Sequence, residues 1–197
     1  MAMEKIGEGA EATIYTIDAF GKGMVVKTRN PKGYRIADLD SRIRRQRTKK
    51  EAKLIKRAMD CGINVPRLIA VGQNSIVMER IDGQLLKDID ITAEMASSSG
   101  MLLAKLHNAG ITHGDFTPAN LMISGKKLYL IDLGLSDTVS SSEEKALDVL
   151  LMKRQLGKNL YKVFVESYSG LAKSADDVLA RLSEIEARGR YQSRALG

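Results

Sequence analysis

The sequence predicts an α+β fold with two lobes, a small β-rich N-terminal lobe that carries one long helix and a reduced, mainly helical C-terminal lobe. Short apolar runs separated by glycine turns, which are typical of strands, dominate the first part of the chain. One amphipathic helical pattern interrupts them at residues 41–59. Further helical patterns fill the C-terminal part, at residues 143–156, 159–168 and 175–188. We therefore expect an N-terminal lobe at residues 1–81 and a C-terminal lobe at residues 82–197.

The composition is that of an ordinary globular protein, with 44% hydrophobic and 28% charged residues in a chain of 197. No apolar run approaches the roughly 20 residues that a membrane helix needs. The first residues lack the apolar core of a signal peptide, and Cys61 is the only cysteine, so no internal disulfide can form. We expect a cytoplasmic protein in which Cys61 is at least half buried. The net charge of +7 is compatible with a polyanionic partner.

A glycine pair near the N-terminus precedes a β-rich segment. Gly7, Glu8, Gly9, Ala10 and Ala12 occupy the turn of a predicted strand–turn–strand unit, with Ala12 in place of the third glycine of G-x-G-x-x-G. Glycine lets the backbone approach phosphate oxygens closely, so this turn is a candidate phosphate-binding loop. An ordinary hairpin is the alternative that this segment alone leaves open.

Lys27 ends an apolar strand in which it shares one face with Val25. The apolar stripe of the following helix, extended backwards by three or four residues, reaches Glu51. A buried carboxylate needs a partner, and Lys27 is the candidate. The alternative places Glu51 at the edge of the stripe, paired with a neighbouring lysine in solvent. If Lys27 points inward, it can contact the phosphates of a nucleotide while Val25 packs on the adenine.

The strand at residues 75–81 leads into a hinge at Asp82 and Gly83. Met78 is expected to line the adenine pocket together with Val25. Backbone groups of Glu79 and Ile81 are expected to pair with the adenine edge.

The second half of the site begins at His113-Gly114-Asp115 and ends at Asp132-Leu133-Gly134. Asp115 can orient an attacking hydroxyl or accept its proton, and Asn120 and Asp132 offer oxygen ligands to Mg²⁺. The pattern H-x-D-x-x-x-x-N followed by D-x-G is that of a kinase catalytic loop and metal-binding turn.

Two segments are strongly basic. The first is the amphipathic helix, and the second is the tail at residues 188–194, which adds one aromatic residue. Both could bind RNA phosphates or an acidic protein surface, whereas the alternatives are a solvated helix face and a frayed terminus. The cations of the helix are Arg42, Arg44, Arg45, Arg47, Lys49 and Lys50.

The glycine pair, strand lysine, helix glutamate, hinge, catalytic loop and metal-binding turn appear in the order of the protein-kinase fold. More closely, the chain resembles the PRPK family, the kinase/ATPase subunit of the KEOPS tRNA-modification complex. The similarity lies in Glu8–Ala12, in Tyr34-Arg35 after the Lys27 strand, in Arg47–Ala52, in Thr112–Asn120 and in Ile131–Ser136. The chain departs from protein kinases at Gly114, where they usually carry arginine, and from the PRPK family at Leu133, where phenylalanine is usual.

The resemblance implies an ATP- and Mg²⁺-dependent protein kinase of serine and threonine, also an ATPase, with Mn²⁺ as a possible substitute. It assigns catalysis to Asp115 and Lys27, metal binding to Asn120 and Asp132, and support of Lys27 to Glu51. It implies as partners the large threonylcarbamoyl-transferase subunit, a small regulatory subunit and tRNA, in t⁶A formation. The alternatives are a RIO-type kinase or small-molecule phosphotransferase, and a nucleotide-binding scaffold.

Overall fold

A computed structural model describes residues 3–19, 21–138 and 141–195, with side chains up to Arg188. The chain divides into two compact units. The first runs to Gly83 and also includes Tyr129–Gly134, whereas the second comprises Gln84–Leu128 and the chain from Leu135 onward. The division thus falls two residues beyond the expected boundary. Tyr129–Gly134 joins the first unit because Leu130 N donates to the Asn64 carbonyl at 2.9 Å.

The first unit contains a five-stranded antiparallel sheet in the order β1-β2-β3-β5-β4. Alternation along the central strand β3 places Val25, Lys27 and Arg29 on one face. The register sets Val25 opposite Met78 and Lys27 opposite Ile76. The strands are β1 (Met3–Glu8), β2 (Ala12–Ala19), β3 (Lys22–Arg29), β4 (Leu68–Val71) and β5 (Ser75–Glu79).

One long helix, α1 (Ala37–Asp60), completes the first unit and is longer than predicted. Its apolar stripe, formed by Leu54, Ile55 and Ala58, is buried, and Glu51 is buried with it. The expectation that Cys61 is at least half buried is wrong, because this residue caps the end of α1 and is exposed.

The second unit is mainly helical, with a three-stranded sheet in the order β6-β7-β8. The strands are β6 (Gln84–Leu85), β7 (Leu121–Ser124) and β8 (Lys127–Leu130), and β8 ends within the segment that belongs to the first unit. The helices are α2 (Ala93–Asn108), α3 (Ser142–Lys153), α4 (Lys158–Ser169) and α5 (Ala175–Ala195). Thr92 caps α2 by accepting from Met95 N, and Ser141 and Glu144 form a capping box at the start of α3.

Helices α2 and α4 pack closely because Gly100 faces α4. A side chain at Gly100 would begin 2.2 Å from the Phe164 carbonyl oxygen, so only glycine permits this approach. Phe164 and Tyr168 are fully buried in the core of this unit. Among the described helices, none combines the length and the apolar character required to cross a bilayer.

Candidate active site

Two carboxylates contact Lys27 in the first unit: Glu51, its predicted partner, and Asp132, which was predicted as a metal ligand. Lys27 Nζ lies 2.7 Å from Glu51 Oε1 and 2.7 Å from Asp132 Oδ1. The Glu51 side chain is only 2% exposed, so the alternative that placed it in solvent is wrong. Asp132 Oδ1 also accepts a hydrogen bond of 2.6 Å from Gly134 N, which fixes the carboxylate in its turn. A cation is therefore held between two carboxylates from different elements.

Arg29 is a further member of this ion network that the sequence analysis missed. Its Nη2 donates to Glu51 Oε2 at 2.7 Å, and its Nη1 donates to Glu11 Oε2 at 3.1 Å. Glu11 also accepts hydrogen bonds from Arg47 on α1. The alternation that pointed to Lys27 applies equally to Arg29, so the strand pattern contained a usable signal.

The glycine turn joins β1 to β2, as predicted. Gly9 N donates to the Ala12 carbonyl at 2.9 Å, and Lys32 Nζ contacts the Ala10 carbonyl oxygen. A Cβ atom at Gly7 or Gly9 would meet neighbouring atoms no closer than 3.8 Å, which is ordinary contact. Packing within the described residues therefore does not require glycine at either position. Glu8 lies at the surface and pairs with Lys5.

The four residues expected around an adenine lie on or beside β3 and β5. Met78 is 4% exposed and stands opposite the half-buried Val25. Glu79 N donates to the Arg67 carbonyl at 3.0 Å, so this N–H already has a partner. Ile81 follows β5 and is half buried. These positions remain predictions for the adenine site, with the Glu79 carbonyl as the group suited to an amino donor.

The catalytic loop in the second unit brings Asp115 and Asn120 together. Asn120 Nδ2 donates to the Asp115 carbonyl at 2.8 Å and to Asp115 Oδ2 at 2.9 Å. Pro118 begins the single 3₁₀ turn that connects the two residues. Asp115 N donates to His113 Nδ1 at 3.1 Å. The Asp115 carboxylate is thus oriented from within its own loop.

Asp148 on α3 supports this loop through hydrogen bonds, a role that the sequence did not predict. Its two oxygens accept hydrogen bonds from His113 N at 2.7 Å and Gly114 N at 2.8 Å. His107 Nε2 lies 3.2 Å from Asp148 Oδ2, and Tyr168 Oη lies 2.8 Å from His107 Nδ1. Burial lowers the pKa of His107, so the neutral ring is favoured, and burial raises the pKa of Tyr168.

The backbone at position 114 accounts for the glycine that this chain has where protein kinases usually carry arginine. The φ angle of Gly114 is +78°, and an added Cβ would lie 2.8 Å from the Leu135 carbonyl oxygen. The segment after Asp132 is bonded to the catalytic loop at this point, through paired Thr112 and Asp137 backbone hydrogen bonds of 3.0 Å. A residue with a long side chain would break this contact.

A groove of about 520 Å³ opens beside Gly114 in the second unit. Its walls are largely apolar, and two of the leucines that line it, Leu135 and Leu147, are 59% and 44% exposed. Asp137, Glu144 and Arg154 add charged groups to its lining. Exposed leucines around a concave surface are typical of a contact face.

The basic cluster predicted on α1 separates into two sets. Arg44 and Arg47 are paired with carboxylates: Arg44 Nε donates to the buried Asp40 Oδ2 at 2.6 Å, and the partly exposed Arg47 contacts Glu11. Five of the exposed cations, two of them after Lys50, recur at spacings of three or four residues, which aligns them along one helix face. Lys50 and Arg57 are also exposed but lie outside this row. This basic stripe consists of Arg42, Arg45, Lys49, Lys53 and Lys56.

The remaining predicted residues are distributed as follows. Asp132 belongs to the first unit and Asn120 to the second. Within the part of the chain that the structure describes, no cluster of three or more histidine, cysteine or acidic side chains could hold a metal ion. Arg188 is exposed, whereas the side chains of Arg190, Tyr191 and Arg194 in the predicted basic tail lie outside the described residues.

Comparison with known proteins gives consistent matches. Residues 24–173 match the model of the RIO domain. A probable serine/threonine-protein kinase BUD32 homolog from Archaeoglobus fulgidus is 39% identical over 96% of this chain and 97% of its own. The KEOPS complex subunit Bud32 of Pyrococcus abyssi is 33% identical, with 98% of each chain covered.

A longer relative contains a region that is similar to this chain. The probable bifunctional tRNA threonylcarbamoyladenosine biosynthesis protein of Methanobrevibacter smithii is 39% identical over 94% of this chain. The chain spans only 36% of that protein's length. Among solved structures, the Rio2 kinase from Chaetomium thermophilum, in an ADP/Mg²⁺-phosphoaspartate complex, matches 95% of this chain and 72% of its own. The TM-score of 0.70 at 20% identity establishes a kinase-like fold.

Proposed function

Because this chain belongs to the RIO-domain family and, within it, to the Bud32 family, we propose that it transfers the γ-phosphoryl group of ATP. The acceptors are serine or threonine hydroxyls of proteins and, for ATP hydrolysis, water. The observation that carries the proposal is Lys27 Nζ at 2.7 Å from both Glu51 and Asp132. RIO-type kinases, which the sequence alone offers as an alternative, belong to the same family as this chain.

Lys27 is the group that would contact the α- and β-phosphates. Glu51 binds the Lys27 ammonium from one side. Because this carboxylate is buried, water does not readily replace it as the partner of the ammonium. Transfer of a phosphoryl group depends mainly on positioning and on charge stabilisation, which a fixed cation supplies. The Gly7–Ala12 loop would cover the phosphates with backbone N–H groups other than that of Gly9, which donates to the Ala12 carbonyl. Internal packing does not require its glycines, which would let the backbone approach the phosphates closely.

Magnesium fits the oxygen donors that the chain offers. Mg²⁺ is usually bound by one or two protein oxygens together with substrate phosphates and waters. Asp132 supplies a carboxylate and Asn120 supplies an amide carbonyl, whose nitrogen is already engaged with Asp115. These two residues would hold the ion, which neutralises charge on the phosphates when it is bound.

Asp115 would orient the acceptor hydroxyl or water. We expect Asp115→Asn to abolish phosphate release and phosphoprotein formation while ATP binding stays measurable, because the phosphate-binding groups are unchanged. Asp176→Asn, at an exposed position on α5, is the matched control and should behave as wild type. Turnover of the Asp115→Asn variant at the wild-type rate would refute the assignment.

The names of the relatives suggest the process in which this activity is used. We propose that the protein supports t⁶A formation on tRNA in the cytoplasm, with the threonylcarbamoyl-transferase subunit and a small regulatory subunit of KEOPS as partners. One relative joins a region like this chain to a longer polypeptide, which favours a stable contact between the two parts. The leucine-lined groove beside Gly114 is the candidate contact face for the transferase subunit.

A charge in the groove tests this contact. Leu147→Arg should weaken binding to the purified transferase subunit, because the arginine cannot be desolvated among leucines. Leu171→Arg, at a leucine that is also exposed but is not among the groove residues, should bind as wild type. Equal affinities for all three proteins in calorimetry would exclude the groove as the interface.

The basic stripe on α1 is the proposed contact for tRNA. It extends over about 21 Å, since fourteen residues rise 1.5 Å each, and neighbouring cations lie about 5–6 Å apart. Replacing Arg45, Lys49 and Lys53 with alanine should weaken tRNA binding and reduce the slope of log affinity against log salt by about 2 to 3. An unchanged slope would show that the stripe is a solvated surface that does not contact tRNA. The tail is tested separately with alanine at Arg188, Arg190 and Arg194.

A further inference from the structure

We propose that Arg29 is a positioning residue of the phosphoryl-transfer site, which joins the glycine-rich loop to the Lys27–Glu51 pair. This inference rests on the proposed use of ATP. Arg29 follows Lys27 by two residues on β3, so both side chains leave the same face of the sheet. Its side chain is only 4% exposed, although it carries a permanent charge.

The guanidinium of Arg29 bonds two carboxylates that belong to different elements. Nη2 reaches Glu51 on α1 at 2.7 Å, and Nη1 reaches Glu11 beside the glycine turn at 3.1 Å. A planar group with nitrogen donors at fixed angles can hold two anions at once, which sets the separation between them. Arg29 thus couples the position of the loop to the position of α1.

The contact with Glu51 also restricts Lys27. Lys27 occupies Oε1 of Glu51, and Arg29 occupies Oε2, each at 2.7 Å. The carboxylate cannot rotate without breaking one of these buried, charge-assisted bonds. Lys27 is attracted at the same time by Asp132. With Oε2 held by Arg29, Oε1 keeps the ammonium in one place.

The contact with Glu11 ties down the loop. Glu11 stands two residues after Gly9, and its carboxylate is 39% exposed. The hydrogen bond from Arg47 holds the pKa of Glu11 below its ordinary value, so the carboxylate stays charged at neutral pH. The backbone groups between Gly9 and Ala12 are the ones proposed to cover the phosphates. This ion pair adds a side-chain contact with β3 to the backbone pairing of Ala12 with Arg29.

The Arg29→Lys variant tests whether the geometry of Arg29 matters as well as its charge. Arg29→Lys keeps a cation beside buried Glu51, but a single ammonium does not reproduce the two-pronged contact. Glu11→Gln removes the charge at the loop end and leaves Glu51 untouched. Asp18→Asn is the matched control, because Asp18 is a 73% exposed carboxylate of the same sheet that pairs with Arg80 at 3.2 Å.

The experiment measures kcat and KM for ATP in Arg29→Lys, Glu11→Gln, the double variant and Asp18→Asn. Amide hydrogen exchange of residues 8–12 is recorded without nucleotide. We expect each single variant to raise KM about fivefold with little change in kcat. The double variant should raise KM by less than the product of the two single effects, because Arg29 and Glu11 share one ion pair. Exchange at residues 8–12 should quicken in all three, and Asp18→Asn should match wild type.

Unchanged KM together with unchanged exchange in Arg29→Lys would overturn the proposal. Effects that multiply in the double variant would also overturn it, because they would show that Arg29 and Glu11 act independently. A wild-type protein without ATP turnover, combined with faster exchange in Arg29→Lys, would refute the proposed function and support the link between Arg29 and the loop.

Discussion

Asp148→Asn is the perturbation whose cost follows most directly from the structure. Asp148 is fully buried, and its two oxygens accept the N–H groups of His113 and Gly114 at 2.7 and 2.8 Å. Asparagine has one carbonyl oxygen, so it can accept only one of these bonds in the same way. The other N–H would face an amide NH₂ group, which is also a donor.

The magnitude combines an orphaned donor with the loss of charge. A buried N–H without an acceptor costs about 1–3 kcal/mol, and charge-assisted bonds are worth more than neutral ones, so we expect about 3 kcal/mol of destabilisation. In a chain of this size, 1 kcal/mol lowers Tm by about 2–4 °C, so Tm should fall by about 6–12 °C. The rate constant kcat should fall with it, because the Asp115 loop loses its support, whereas KM for ATP should change little.

Differential scanning calorimetry and steady-state kinetics measure both effects. Glu143→Gln is the matched control, since it is the same chemical change on the same helix at a carboxylate that is 45% exposed. Surface pairs contribute about 0–1 kcal/mol, so this variant should remain close to wild type. If Asp148→Asn and Glu143→Gln have the same Tm, Asp148 does not support the loop in the way described.

Three further predictions concern substitutions of Gly114, Gly9 and His107. Gly114→Ala should lower stability by about 1–2 kcal/mol in urea unfolding because of its positive φ angle and the Leu135 carbonyl; an unchanged midpoint would contradict this. Gly9→Ala should leave the free energy of unfolding within about 0.5 kcal/mol of wild type yet raise KM for ATP, and unchanged KM would argue against phosphate contact there. The folded state lowers the pKa of His107, so the unfolded chain binds more protons below about pH 6.5 and stability should fall from pH 7 to about 5. His107→Gln should flatten this decline, and an identical pH slope would exclude His107 as its source.

The sequence predicted those parts of the site that periodicity can identify. Strand alternation placed Lys27 on the face of Val25, and the helical stripe led back to Glu51, so their contact was expected. A serine three residues before a glutamate is the local signature of a capping box, which Ser141 and Glu144 form.

Contacts between distant segments were not predictable by these means. Asp148 reads as one polar position in a helical pattern, and nothing local shows that it bonds a loop 34 residues away. Tyr129–Gly134 joins the first unit through tertiary hydrogen bonds, although the chain on either side belongs to the second. Charge counting also treated Arg44 and Arg47 as surface cations, whereas they form ion pairs with Asp40 and Glu11.

The central claim is that Lys27, held by Glu51 and Asp132, binds the phosphates of ATP. The most direct measurement is the affinity for ATP with Mg²⁺, by calorimetry, in wild type and in Lys27→Met. Loss of a charge-assisted contact of about 1.5–3 kcal/mol predicts that affinity falls at least about tenfold while the protein stays folded. Equal affinity for ATP in a folded Lys27→Met variant would contradict the account.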